Sequence, residues 1–230
     1  MLNNTAYLGL LLDAPLQSWG FASQFQRRTT GLHPTKSGVI GMICAAMGIG
    51  KGTSQERETL PQLAALTMTS IAIPRMSNPV RRTEDFHTVL KTRRASGSMN
   101  PDPVVTRRQY LVDACFGIIL TGDRILLERV ASALQDPVWG VWLGRKSCIP
   151  ARPLFVAVCN TREEAWQAIL RSLGGDEALP IESFTRVEDV DDFVAGTDSY
   201  NDQPISFGRP ESSSEGRAYA VRRVRLEPGA

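Results

Sequence analysis

The sequence predicts an α+β fold, an RRM-like or ferredoxin-like sheet with helices on one face. Three observations carry this expectation. Short apolar runs with strand character alternate with helical patterns in the order β-loop-α-β-excursion-β-α-β-α-β. The helical stretches open on capping residues, and the first and last of them close on glycine. The 230 residues, 42% of them hydrophobic, suffice to bury a real core, which excludes a disordered tail, a collagen-like stalk and a disulfide-stapled mini-domain.

Residues 5–12 (Thr-Ala-Tyr-Leu-Gly-Leu-Leu-Leu) read as a buried strand stopped by Asp13-Ala14-Pro15. A polar, aromatic-bearing loop follows, from Gln17-Ser18-Trp19-Gly20 to Arg27-Arg28-Thr29-Thr30. Pro34-Thr35-Lys36-Ser37 opens an apolar helix through about Met47, ended by Gly48 and Gly50. A second short helix fits 54–66 with Ser54 as N-cap, and 66–74 alternates like a half-buried strand. Residues 109–120 form a long strand, Asp123 caps a helix over 124–135, and 153–158 form another strand. Thr161-Arg162-Glu163-Glu164 is a capping box for a helix ending near Gly174-Gly175. An Arg/Tyr-rich strand closes the chain.

Residues 77–108 differ in character. They show almost no apolar periodicity, contain Pro79, Pro101 and Pro103, and between 79 and 108 place seven cations against three carboxylates. So long a polar segment inside a compact domain is usually a functional excursion. The tail splits by charge: 181–202 holds seven carboxylates against Arg186 alone, and 203–226 is basic. The cluster Glu188-Asp189-Asp191-Asp192 is consecutive, so its side chains should diverge, which makes it a solvated loop and a poor metal site.

The overall charge of +2 names no partner. Cys44, Cys115, Cys148 and Cys159 lie far apart with no CxxC, which argues against zinc and for reduced thiols filling a core in a cytoplasmic protein. The start lacks a basic n-region, and the run from Tyr7 to Leu12 is too short for a signal peptide or a membrane span. No cofactor and no metal is expected.

Gly48-Ile49-Gly50-Lys51-Gly52-Thr53 and Gly144-Arg145-Lys146-Ser147 suggest phosphate loops, yet neither fits G-x-x-x-x-G-K-[ST]. There is no G-x-S-x-G elbow. His33, before Pro34, reads as structural. His87, inside the excursion, reads as a residue stacking on or hydrogen-bonding RNA, or alternatively as a general base on a 2′-hydroxyl.

Polyanion binding survives these exclusions. Four cationic islands sit beside turns or loops: Arg27-Arg28 with Lys36, Arg81-Arg82, Arg107-Arg108 and Arg145-Lys146-Ser147. Lys36-Ser37-Gly38 at a helix start offers free N–H groups, the positive dipole end and a side-chain charge to one phosphate. Trp19, Phe25, Phe86 and Tyr110 lie close to those cations in sequence, as a single-strand stacking site requires.

Five segments resemble the CasD family, the CRISPR RNA 5′-handle subunits of the type I-E surveillance complex Cascade. Ala14-Pro15-Leu16-Gln17-Ser18-Trp19-Gly20 resembles its opening signature, and Pro34-Thr35-Lys36-Ser37-Gly38-Val39-Ile40-Gly41 its P-[ST]-[KR]-S-G-[LV]-[LI]-G helix start. Asp85-Phe86-His87-Thr88-Val89 is similar to D-[YF]-H-T-V, Arg108-Gln109-Tyr110-Leu111-Val112-Asp113-Ala114 to R-x-Y-L-x-D-A, and Leu143-Gly144-Arg145-Lys146-Ser147-Cys148 to L-G-R-[KR]-S-C. A weaker match continues through Asp202-Gln203-Pro204-Ile205-Ser206 to the last strand.

The resemblance implies an RRM/ferredoxin-like RAMP core with an inserted β-hairpin thumb and a short β-rich C-terminal part: a body of residues 1–76 and 109–230 with the cationic thumb at 77–108. It implies a non-catalytic subunit that clamps the repeat-derived 5′ handle of the CRISPR RNA. Its partners would be the backbone subunit and the large subunit of Cascade, with target DNA met only indirectly and no membrane. Carried over by motif, Trp19, Arg27, Arg28, Lys36 and Ser37 line the handle groove, Arg81, Arg82 and His87 sit on the thumb, and Arg107 and Arg108 at its base. Arg145, Lys146 and Ser147 either meet handle phosphates or hold the adjoining loop, and the acidic 181–202 stretch is surface or a protein-facing edge. A related subtype uses its counterpart as the processing ribonuclease, so the rival is a metal-independent endoribonuclease using His87 with Lys91 or Tyr110. A second rival is an architectural protein whose cationic patches face other proteins.

Overall fold

A computed structural model describes residues 4–20, 26–75, 80–94, 96–208 and 217–229. Phe25 and Pro79 lie outside them. In chain order the elements are β1 (Thr5–Asp13), β2 (Leu16–Gln17), β3 (Arg27–Arg28), α1 (Lys36–Ala46), α2 (Ser54–Ala64), β4 (Thr67–Ala72), β5 (Arg81–Val89), β6 (Val104–Val112), β7 (Cys115–Asp123), α3 (Arg124–Gln135), β8 (Phe155–Cys159), α4 (Arg162–Ser172), β9 (Arg186–Val190), β10 (Asp198–Ser206) and β11 (Ala218–Glu227).

The main sheet is antiparallel, in the order β10-β11-β9-β4-β7-β1-β8. Its β8-β1-β7-β4 half carries the ferredoxin-like arrangement, with α1 and α2 linking β1 to β4 and α3 linking β7 to β8. β1 explains the layering. Leu8, Leu10 and Leu12 alternate onto a core shared with α1, α2 and α3, whereas Leu11 joins Ile169, Leu170 and Trp166 of α4 on the other side. Helices therefore cover both faces of this half, which corrects the expected single helical face: α4 is apolar along Ala165, Trp166, Ile169 and Leu170 and must bury that stripe.

Local signals are realised closely at several places. Asp123 accepts from Leu126 N at 3.0 Å and begins α3 where expected, and Thr161 with Glu164 closes the capping box of α4. The N-cap of α2 is Thr53, not Ser54, because Thr53 Oγ1 receives Glu56 N at 3.2 Å. The strand expected over 109–120 is two strands. Asp113 takes a positive φ of 50°, and there the chain leaves β6 and turns into β7 of the main sheet. β6 pairs along its whole length with β5, so the segment without apolar periodicity is largely a hairpin, and its β5 strand is solvent-exposed along nearly all its length.

The acidic tail is the largest correction. Glu188 and Asp189 diverge as expected, but because they alternate on β9, not because they lie in a solvated loop. Glu188 meets Arg162 and Arg186, which together hold its carboxyl below the usual range although burial opposes them. Asp189 enters the interior between β9, β11 and α1. There Asp189 Oδ2 binds Lys36 Nζ at 2.9 Å and Met68 N at 3.0 Å, Arg222 bridges Asp189 and Asp202, and Asp202 Oδ2 accepts Lys36 N at 2.7 Å. Arg222 also lies over the Tyr200 ring, 5.5 Å from its centroid.

All four cysteines are free, Cys44 pushed up to about 12 by burial and the neighbouring Glu56 charge. No described helix is long and apolar enough to cross a membrane.

Two outcomes follow from these buried groups. Asp202→Ala strips Arg222 of a bidentate partner and should lower the unfolding free energy by about 3–5 kcal/mol, read by urea denaturation; a loss below about 1 kcal/mol would show the pair to be dispensable. His33 packs on Phe116 at 5.6 Å, and burial lowers its pKa to about 4. A depressed folded pKa gives stability present above the unfolded value and lost as pH falls from about 6.5 toward 4. Between pH 7 and 5 the protein should lose about 1–2 kcal/mol through this group, and His33→Gln should remove that part of the slope.

Candidate nucleic-acid interface

The cations of the sequence come together through strand pairing. β3 pairs in parallel with β6, setting Arg27 beside Arg107 and Arg28 beside Arg108, while β5 flanks β6 on its other side. Since side chains alternate along a strand, each arginine pair sends one member to each face. Arg28, Arg108 and Arg81 share one face with Asp85 and His87; Arg27, Arg107 and Arg82 share the other with Glu84 and Phe86. Three dipeptides that look like islands in sequence thus become two arginine stripes. Arg27, Arg28, Arg82 and Arg108 have no carboxylate partner among the described residues, whereas Arg107 stacks on Phe86 at 5.2 Å and lies 3.8 Å from Glu84, and Arg81 lies 3.6 Å from Asp113. His87 Nε2 is 2.7 Å from Asp85 Oδ2.

Beside the Arg28 stripe opens a cleft of about 640 Å³. Its floor is α1 through Ser37, Gly38 and Gly41; one wall is the 139–145 loop and the other is Phe207, Arg217 and Tyr219. Arg28, Lys51, Arg145 and Arg217 bring positive charge, and Trp139 and Trp142 remain 48% and 37% exposed. The terminus of α1 positions this loop: the carbonyl of Ala46 accepts the N–H of Val138 (2.9 Å), and that of Ala45, already bound by Gly48 N, also accepts the N–H of Trp139 (3.3 Å). Lys51 has its pKa lowered by burial and by Arg217, with Glu56 opposing. Aromatic faces and cations around an open cleft suit a nucleobase with its phosphates.

Several expected contacts are corrected. Lys36 is 4% exposed, and its ammonium is committed to Asp189, so it is no free phosphate ligand. The helix N-terminus is also taken, because the Asp202 carboxylate already occupies the place expected for phosphate. Trp19, 1% exposed, gives its indole N–H to Gln17 Oε1 at 3.0 Å and offers no free face for stacking; Gln17 in turn ties Leu12 O and Ala114 O. Tyr110 is buried under the Arg145 guanidinium at 4.6 Å, which removes it both as a stacking platform and as a catalytic partner for His87. Arg145 itself braces Gln109 O and Arg28 O, each at 2.9 Å. Lys146 and Ser147 are exposed beyond the cleft lining, and Ser37 stays in it.

Sequence reasoning missed Trp139, Trp142, Lys51 and Arg217. The available signal was Trp-Gly-Val-Trp in a stretch without helical or strand periodicity, where neither tryptophan has a core to enter. Glycines fix the arrangement. Gly144, at φ 100°, brings its Cα so close to Ser18 O that a Cβ would lie 1.7 Å from it, and Gly38 lies against Trp19. Among the described residues no group of three His, Cys, Asp or Glu side chains could hold a metal ion.

Residues 7–225 match the family described as CRISPR-associated protein (Cas_Cas5). The chain is 30% identical over 179 residues to the CRISPR system Cascade subunit CasD of Escherichia coli (strain K12), covering 74% of this chain and 80% of that one. It superimposes on a chain of a CRISPR RNA-guided surveillance complex with TM-score 0.73 and 27% identity, over 97% of this chain and 90% of that chain. A crystal structure of a Cas protein matches with TM-score 0.63 and 28% identity, over 97% and 98% of the two chains.

Gly38→Ala puts a methyl 2.9 Å from the Trp19 ring and from Thr35 Oγ1. It should destabilise the fold by about 1–3 kcal/mol through overpacking, seen as a lowered melting temperature; an unchanged melting temperature would show that Trp19 can shift freely.

Proposed function

Because the chain belongs to the CRISPR-associated Cas5 protein family, we propose that it is the non-catalytic Cascade subunit that clamps the repeat-derived 5′ handle of the CRISPR RNA. The observation that carries this reading is the sorting of three arginine dipeptides into stripes, one of them running into a cleft with two exposed tryptophans. Cross-strand neighbours of like charge destabilise a ladder, so such stripes serve a polyanion rather than the fold. The handle phosphates lie along Arg28 and Arg108 and continue past Arg145 toward Lys51 and Arg217, while bases stack on Trp139 and Trp142. Phosphates fix register; base edges meeting the cleft lining give specificity.

The β5–β6 hairpin acts as the thumb. Its exposed Phe86, Val89 and Leu90, next to Arg81, Arg82 and His87, face the guide and the adjoining backbone subunit. The large subunit contacts the body, target DNA is met only through the assembled complex, and the protein works in the cytoplasm.

The His87–Asp85 pair supports one rival, an endoribonuclease in which Asp85 orients a histidine base. One gel separates the two. Handle-bearing RNA and repeat RNA are incubated with the protein, with and without EDTA, and followed for retardation and for cleavage. Retardation without a cut is expected; a metal-independent cut lost in His87→Ala would replace the clamp with a ribonuclease. Arg28→Ala with Arg108→Ala should lower the slope of log K against log salt by about 0.7 per lost phosphate contact. Trp142→Ala should cost about 1–3 kcal/mol of stacking. An unaltered slope and affinity in these variants would remove the cleft from the site.

A further inference from the structure

The loop between β9 and β10 exposes two large apolar side chains, Phe193 at 72% and Val194 at 94%. It is nevertheless a built loop. Arg223 stacks on the Phe193 ring at 4.9 Å and donates to Phe193 O at 3.1 Å and Gly196 O at 2.6 Å. Arg225 donates to Ala195 O, Asp192 Oδ1 accepts Ala195 N at 2.6 Å, and Thr197 N reaches Val224 O at 2.9 Å. The fold thus commits two arginines to holding an apolar tip in water, where burial of the tip would be favourable. A pre-set tip loses little conformational entropy when a partner covers it.

Charge chooses the partner. Asp191 and Asp192 stand exposed beside the tip, and neither has a cationic salt-bridge partner among the described residues. Such a rim repels a nucleic acid and complements lysine and arginine. Position agrees. Arg222 and Arg223 are consecutive on β11, so the strand sends Arg222 to the α1 side, where the cleft lies, and Arg223 with the loop to the opposite side.

We propose that Phe193 and Val194 form a protein-docking knob that enters an apolar pocket rimmed by basic side chains on another protein subunit of the same assembly. The partner covers the face opposite the RNA cleft, so both are held together. The proposal rests on the reading of the chain as one subunit of a ribonucleoprotein complex.

The test uses the complex assembled from this chain, its guide RNA and its co-encoded protein subunits, with p-benzoylphenylalanine in place of Val194. Irradiation should cross-link position 194 to one protein subunit, at a peptide carrying Lys or Arg beside apolar residues. Val194→Asp and Asp192→Lys should each reduce retention of that subunit at least tenfold, with retardation of handle RNA by the isolated chain within twofold of wild type. A cross-link to RNA, no cross-link, or full retention of every subunit by Val194→Asp overturns the knob. A wild-type chain that enters the complex without retarding RNA overturns the handle clamp and leaves the knob standing.

Discussion

The arrangement depends on one buried exchange of charge. Asp189 and Asp202 hold Lys36 and Arg222, two carboxylates against two cations, with side chains no more than 11% exposed. Buried ions are tolerated only when paired and hydrogen-bonded throughout. Asp189 meets this through Met68 N as well, and Asp202 through Lys36 N. The groups come from β9, β10, β11 and the first turn of α1, so their pairing docks the C-terminal strands onto the helix that floors the cleft. Arg222, held by both carboxylates, fixes the strand that leads back through Tyr219 and Arg217 to the cleft wall.

Strand alternation then distributes function. A dipeptide of arginines on a helix would spread by about 100°, but on a strand its members point to opposite faces. Arg27-Arg28, Arg81-Arg82 and Arg107-Arg108 all lie on strands and so supply both faces of the small sheet. Arg222-Arg223 obeys the same rule with a different outcome: one member enters the core, and the other holds an exposed loop.

What the sequence shows well is what depends on near neighbours. Asp123 before a helical pattern and Thr161 three residues before Glu164 place two helix starts, and the strand-helix alternation yields the α+β class. The motifs of the resemblance were legible, but part of their meaning was not. Lys36 reads as a phosphate ligand because Asp202, 166 residues away, is invisible from its neighbourhood. Trp19 reads as a stacking platform because nothing local says that Gly38 leaves room for its ring. The break at Asp113 also escapes, since the apolar run continues on both sides and only the change of sheet requires a positive φ there.

The small net charge of +2 is the sum of two unlike populations. Within the body, cations find carboxylates: Arg75 and Arg152 at buried Asp13, Arg162 and Arg186 at Glu188, Lys36 at Asp189, and Arg222 at Asp189 and Asp202. This internal pairing takes Glu188, Asp189 and Asp202 out of the acidic tail. Among the described residues, Arg27, Arg28 and Arg108 are left without a carboxylate on the ladder beside the cleft. A polyanion therefore meets concentrated, unneutralised charge on a nearly neutral chain. Asp191 and Asp192 lie in the loop that Arg223 and Arg225 hold on the face opposite Arg222, away from the cleft, where their charge costs RNA binding least.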